Sequence, residues 1–385
     1  MKKFRQILSY ILVAALASTV TLFAADTLWN RKQVSKLDQL SNLIEERFIG
    51  EADRTAYEDA AAAAMVKALG DEWSYYIPAS QMQSHQETMD NAYVGIGITI
   101  TLRQEEDGFL VTKVNAGGPA EAAGMLAGDV IVEIEGQSAA GMTMEKARDL
   151  VRGKPDTQVQ LTVRRGTETM DFSVIRKELL TPVATGQMLD GKIGLITIAN
   201  FDARCYDESK AAIDRLIKDG ATALIFDVRN NPGGYKDEMV KLLDDLLPEG
   251  PLFRSEDYRG TVLVDKSDRD YLDIPMAVLV NGYSYSAAEF FAAALSEYDA
   301  ATVVGQKTYG KGYFQTTIHL NDGSAVGLSI GKYTTPEGKN LAGVGITPDI
   351  IVEIDDETDL AIYAGTLEPE KDPQIQAAVT ALKAN

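Results

Sequence analysis

The chain has 385 residues, a formal net charge of −20, one cysteine and two histidines. That length exceeds a single ordinary hydrophobic core, so more than one domain is expected, and the acidic balance excludes nucleic acid as a partner, because phosphate binding needs clustered Lys and Arg. Cys205 alone cannot form an intramolecular disulfide and reads as a small buried hydrophobe; with no His/Cys cluster, neither a metal site nor a cofactor is expected.

Lys2, Lys3 and Arg5 precede an uncharged, mostly apolar run from Ile7 to Ala25. As a helix this run would rise about 28 Å, close to the thickness of a bilayer core, and it is longer than the core of a cleaved signal peptide. Residues 1–25 are therefore expected to form a signal-anchor, a single span at the cell membrane with the bulk of the chain extracytoplasmic. Cleavage after Ala24 or Ala25, where small residues cluster, would give a secreted form instead. Within 26–91, residues 33–50 and 54–69 read as two amphipathic helices. Leu37, Leu40, Ile44 and Phe48 share a face of the first; an alanine-rich run with Met65, Val66 and Leu69 fills the second, and Gly70 ends it. The pair reads as scaffold or as an arm through which two copies form a homodimer.

Residues 92–178 change character. Val94-Gly95-Ile96-Gly97-Ile98 leads into an alternating strand, and Gly108–Val111 opens another. Pro119–Gly124 is a short helix, Gly128-Asp129 a turn and Val130–Glu135 a third strand; a helix at Thr143–Arg152 and a strand at Val159–Arg164 follow. Gly95, Ile96, Gly97 and Ile98 present successive backbone N–H groups before a strand, which suits capture of a peptide's terminal carboxylate. The peptide would pair with strand 96–102 and lie against helix 143–152. As a phosphate loop the same segment fails, lacking a third glycine and a following helix. The whole pattern resembles a PDZ domain of the bacterial type.

From about 190 onward, through a core expected at 179–366, strands and helices alternate. Strand Ile193–Asn200, helix Asp207–Lys218, strand Ala223–Val228 and helix Lys236–Leu247 come first; strand Met276–Val280, helix 286–298 and strands 301–304, 313–320 and 325–331 follow. A helical tail at 367–385 closes the chain. Such alternation predicts α/β layers with sites beyond the carboxyl ends of strands, where Arg229–Gly234 and Asn281–Ser286 both fall.

The chemistry concentrates in the last two of these turns and the loop at 305–312. Ser286 stands between a short apolar strand and a helix, so the helix's first free N–H groups and its positive dipole end face the serine oxygen. A serine needs a base to remove its proton, and a lysine desolvated in an apolar pocket can serve. Lys311, flanked by Gly310 and Gly312, is the candidate; His319, on a strand among threonines, is the rival. The Gly305–Gly312 segment nearly spells a phosphate-binding loop, but Gly312 stands where a hydroxyl must hold Mg²⁺ and a strand pattern follows. In Arg229-Asn230-Asn231-Pro232-Gly233-Gly234, glycine would let an N–H approach a substrate carbonyl, so Gly233, or the other glycine of the turn, would form an oxyanion hole with the Ala287 N–H; the sequence leaves open which glycine donates.

These motifs resemble those of the C-terminal processing serine peptidases, the tail-specific proteases that carry a PDZ domain. Ser284-Tyr285-Ser286-Ala287-Ala288-Glu289 matches that family's nucleophile segment, Gly310-Lys311-Gly312 its basic lysine, and Gln315 the glutamine that supports the lysine in some members; Arg229–Gly234 appears intact. The resemblance runs from about Leu37 to Ile351 and implies a multidomain α/β fold with a crotonase-like peptidase core. It also implies a serine endopeptidase that binds protein substrates by free C-terminal tails and cleaves with a Ser286–Lys311 dyad through an acyl-enzyme. Three positions depart. Trp73 stands where the family has a histidine, in Asp71-Glu72-Trp73-Ser74; Tyr285 replaces a small residue, and Ala288 a serine. Glu289 is retained and reads as an anchor for the turn. Because of Tyr285, the alternative reading is a catalytically silent PDZ scaffold holding protein C-termini at the membrane.

Overall fold

The computed structural model describes residues 35–103 and 107–384. The expected signal-anchor at 1–25 lies outside them; among the described residues no helix is long and apolar enough to cross a membrane. The chain divides into two compact units, up to Gly70 and from Asp71 onward. In the first, the Ser35 side chain accepts from the Asp38 N–H and the Asp38 carboxylate accepts from the Ser35 N–H, a reciprocal cap that starts helix Lys36–Arg47. Asp53 caps helix Arg54–Lys67 through the Ala56 N–H, and Ser41 Oγ meets Tyr57 Oη at 2.9 Å between the two helices. Neither helix buries a residue, and Leu37, Leu40, Phe48, Met65 and Leu69 are exposed.

In the second unit, Ala92–Gly95 pairs antiparallel with Lys177–Leu180. Between these two strands lies an antiparallel sheet whose strands run in the order Ile98–Arg103, Gly108–Val114, Val130–Ile134, Gln158–Arg165 and Glu168–Ile175. Ile96, Phe109, Ile131, Leu161 and, from helix Met144–Val151, Ala147 form its core. Among the described residues Ile98–Arg103 is an edge strand, paired on one side.

The rest is built on a six-stranded sheet in the order Ala184–Leu189, Ile193–Ile198, Ala223–Asp227, Met276–Val280, Ala301–Gly305, Ile350–Ile351. The first pair is antiparallel and all later neighbours are parallel. Strands buried on both faces need near-continuous apolar runs, which is what Ala223–Asp227 and Met276–Val280 supply. Leu224, Phe226, Met276, Val278 and Val280 turn to one face, with Leu216 of helix Cys205–Lys218, Leu242 of helix Lys236–Asp244 and Phe291 of helix Ala287–Glu297. Ala223, Ile225, Ala277 and Leu279 turn to the other, covered by Ile375, Ala378 and Val379 of helix Pro373–Ala384.

A second, antiparallel sheet holds Tyr75–Ile77, Ala325–Thr334, Gly250–Asp257 and Val262–Ser267, with Tyr313–His319 also on Ala325–Thr334. The strands expected at 313–320 and 325–331 therefore form a hairpin in a separate layer. Its Phe253 and Tyr333 pack on Phe290 at ring separations of 5.3 and 5.1 Å. Helix Ala287–Glu297 is thus covered by both layers, and Ala287 to Leu295 are all buried; a helix apolar on every side is stable only in such a position. Cys205 is buried and free, its thiol pushed up to about 12 by burial, and so inert as a nucleophile.

Candidate active site

Two turns follow the neighbouring parallel strands Ala223–Asp227 and Met276–Val280, and asparagines tie them together. Asn281 Oδ1 accepts from the Asn230 N–H and Asn281 Nδ2 donates to Asn230 Oδ1, each at 2.9 Å. Asn231 Nδ2 donates to the Ile198 carbonyl, and the Tyr285 N–H to the Asn231 carbonyl. Ser284 Oγ donates to the Val228 carbonyl at 2.7 Å. Beneath the first turn, Arg229 is buried between Asp227, at 2.6 Å, and Asp372, at 2.8 Å. The arginine thereby ties the turn to the start of the C-terminal helix.

Ser286 is the residue before helix Ala287–Glu297, with φ 59° and ψ −127°. A non-glycine residue rarely occupies that region, and strain of this kind collects at functional turns. Glu289, one turn into the helix and fully buried, explains how the strain is held. Its Oε2 accepts from the N–H groups of Ser286, at 3.1 Å, and Lys311, at 2.8 Å. Its Oε1 accepts from Thr308 Oγ1 at 2.5 Å and from the Gly310 N–H at 2.7 Å. One carboxylate therefore fixes the nucleophile turn and the lysine loop to each other. Burial pushes its carboxyl above the usual range, against the pull of these hydrogen bonds.

Ser286 and Lys311 line one cavity of about 750 Å³ together with Gly233, Gly234, Trp73 and Tyr333. Lys311 is half-buried, and desolvation lowers it to about 8, although the charges of Asp71 and Glu289 act in the opposite direction. Its Nζ lies 4.3 Å from the centroid of Trp73, a cation–π contact. Ser286 is instead met by the hydroxyl of Tyr333, which burial pushes up to about 12 and so keeps protonated. Trp73, Tyr285 and Tyr309 form an aromatic cluster with ring separations of 5.4 to 5.8 Å. Two of the three departures noted in the sequence, Trp73 and Tyr285, are therefore in contact.

The Ala287 N–H is taken by no backbone carbonyl among the described residues. Gly233 lies against the nucleophile, since a Cβ there would fall 2.7 Å from Ser286 Cβ. Its own N–H, expected as an oxyanion donor, is instead given to Asn231 Oδ1 at 2.8 Å. The Gly234 N–H has no such backbone partner among the described residues. Gln315 lines the cavity, but its amide donates to Ser329 Oγ at 2.9 Å and to the Tyr313 carbonyl at 3.3 Å rather than to the lysine. The irregular register between Phe314 and Gln315 accompanies this displacement. His319 is exposed at the cavity's edge. Of the groups now near Ser286, Tyr333 had no local motif to announce it, Gly234 was read only as part of its turn, and Trp73 only as a departure at a family histidine.

At the other candidate site, the Ile96 and Gly97 carbonyls accept from Ala120 and Asn115, each at 2.9 Å. Neither N–H of these two residues is held by a backbone carbonyl among the described residues. Ile98 then begins the open-edged strand, two residues later than the strand expected from 96, so these N–H groups adjoin its edge.

The model of peptidase family S41 matches residues 192–352, and a PDZ-domain model matches residues 110–165. The chain is 33% identical over 359 residues to the "Carboxy-terminal processing protease CtpA" of Bacillus subtilis, a match covering 90% of this chain and 76% of that protein. It is 34% identical over 328 residues to a "Probable CtpA-like serine protease" of Staphylococcus aureus, covering 84% of this chain and 66% of that one. The chain thus spans just under two thirds of the length of the staphylococcal relative. The solved structure of an S41-assigned protein from Bacteroides fragilis superposes with a TM-score of 0.53 at 17% identity, over 84% of this chain and 90% of that one, a likeness of fold.

Proposed function

The chain belongs to peptidase family S41, and from that premise we propose that it is a serine endopeptidase acting through Ser286 and Lys311 on proteins whose C-terminal tails the PDZ domain holds. The observation that carries this reading is a lysine lowered to about 8 in the same cavity as a strained serine at a helix N-terminus. Neutral Lys311 takes the Ser286 proton as Oγ attacks the scissile carbonyl, and the resulting ammonium protonates the leaving amine. Water, deprotonated in turn by the lysine, hydrolyses the ester and returns the serine. The Ala287 N–H stabilises the oxyanion, joined by a backbone donor of the glycine turn. The dyad forms when the Lys311 side chain swings from Trp73 toward Ser286, a tightening expected on substrate binding.

The tail carboxylate would be held by the N–H groups of the Gly95–Ile98 loop, and the peptide would extend the sheet along Ile98–Arg103. The apolar run Ile7–Ala25 with its positive flank supports a single-pass anchor and an extracytoplasmic peptidase, or a secreted form after cleavage. Exposed Leu37, Leu40 and Phe48 support a homodimer through the N-terminal helices. Hydrolysis of a peptide with an apolar tail should vanish in Ser286→Ala and in Lys311→Ala, far from additively. It should also fall when the tail is amidated. Hydrolysis that survives Lys311→Ala removes the dyad. No hydrolysis by the unsubstituted chain, with tail binding intact, would make it a silent scaffold.

A further inference from the structure

Asp202 follows the last residues of the strand Ile193–Ile198 and lines the same cavity as Ser286. It is 7% exposed, yet no hydrogen bond or ion pair reaches its carboxylate among the described residues; only its backbone is held, the N–H by Asn200 Oδ1 at 3.0 Å. Arg204, two residues on, points elsewhere, to Glu208 and to the carbonyls of Asn91 and Thr181. The carboxylate is mostly desolvated, yet its oxygens still reach the cavity, since the one wholly buried polar side-chain atom left without a partner among the described residues is Arg204 Nε; a carboxylate so placed favours a cationic partner. Burial, together with the charge of a second acid, Asp90, pushes the Asp202 carboxyl up to about 7.

The position of the carboxylate relative to the nucleophile is fixed by the glycine turn. A Cβ on Gly234 would fall 2.6 Å from Asp202 Oδ1, and one on Gly233 would fall 2.7 Å from Ser286 Cβ. The carboxylate and the nucleophile therefore flank a strip two glycines wide. An extended peptide advances about 3.3 Å per residue, so with a carbonyl over Ser286 a neighbouring long side chain reaches Asp202. We propose that Asp202 is a specificity-determining residue, a carboxylate in the cleft that receives the basic side chain of a substrate lysine or arginine close to the scissile bond.

This rests on the peptidase reading above, and the experiment separates the two. Internally quenched peptides with one apolar free tail carry lysine, or norleucine of matching length, at each of three positions on either side of the cleaved bond, which is located by mass spectrometry. At one position kcat/KM for lysine should exceed norleucine by roughly ten- to a hundredfold, as for a charge-assisted hydrogen bond. In Asp202→Asn, which keeps the shape, that ratio should collapse toward one. A wild-type chain with no lysine preference at any position overturns the proposal, as does a preference that persists in Asp202→Asn. The same lysine-to-norleucine contrast is measured as binding to the Ser286→Ala chain. If hydrolysis is absent but lysine peptides still bind more tightly, and do so only with Asp202 present, the peptidase reading fails and the subsite stands. Should Asp202→Asn not fold, the contrast in the unsubstituted chain decides.

Discussion

Replacing Glu289 by glutamine should uncouple the nucleophile from its base. The carboxylate accepts four hydrogen bonds, from Ser286 N–H, Lys311 N–H, Gly310 N–H and Thr308 Oγ1. Glutamine keeps one acceptor oxygen and turns an NH₂ toward the other pair. Facing Ser286 and Lys311, it would meet two backbone donors; facing Thr308 and Gly310, it meets one backbone donor and a hydroxyl that already accepts from the Ile346 N–H. At best one buried N–H is orphaned and one charge-assisted bond lost, about 1–3 kcal/mol each. Glutamine escapes the desolvation that the carboxylate bears, which offsets part of this and leaves a net loss of about 2 kcal/mol. That corresponds to a fall in Tm of about 4–8 °C. Activity should suffer more, because displacing Ser286 and Lys311 by about 1 Å costs on the order of a hundredfold in kcat/KM. A third readout separates positioning from mere stability. The Glu289 charge raises the lysine against the effect of burial, so removing it should move the alkaline limb of the pH–rate profile to lower pH. Thermal unfolding and kcat/KM from pH 6 to 10, on a quenched tailed peptide, measure all three. A Glu289→Gln chain with kcat/KM within about threefold of the parent and an unmoved limb refutes this account.

The parent chain's kcat/KM should climb about tenfold per pH unit in acid and level off above about 8, the value to which burial brings Lys311, because the base acts only when neutral; a limb that disappears in His319→Ala would assign the base to histidine. Arg229→Met should destabilise the chain by about 3–5 kcal/mol in urea unfolding, since it leaves the buried Asp227 and Asp372 without their cation; a change below about 1 kcal/mol would show that the pair is not holding the turn to the C-terminal helix. Tyr333→Phe removes a hydroxyl that meets Ser286 and should change kcat by about tenfold with folding intact; unaltered kcat would place that hydroxyl outside the reaction.

Ser286, Lys311 and the glycine turn could be read from the chain alone, because each is written in local chemistry. A strand that must be apolar on both faces, a turn that needs glycine or asparagine and a helix start are all encoded within about ten residues. The α/β layering followed from the same alternation, whereas the burial of helix Ala287–Glu297 on every side emerges only from the packed layers. Glu289 could be recognised as an anchor of its own turn, but not as the link to Thr308, Gly310 and Lys311, whose loop follows the intervening strand Ala301–Gly305. Tyr333 reaches Ser286 because its strand leaves the parallel sheet for the second layer, and no periodicity in 325–334 announces that change. Trp73 looked like a loss at a family histidine; the tertiary structure turns it into the face on which the lysine ammonium rests. Gly233 was identified by residue type, yet the hydrogen bond that takes its N–H depends on how Asn231 is turned. Asp202 carries no motif at all. Its character comes from burial, the charge of Asp90 and, among the described residues, the absence of an ion pair, all properties of the folded neighbourhood rather than of the residue. Local sequence sets backbone shape and apolar faces, whereas desolvation and charge pairing arise only when distant segments converge.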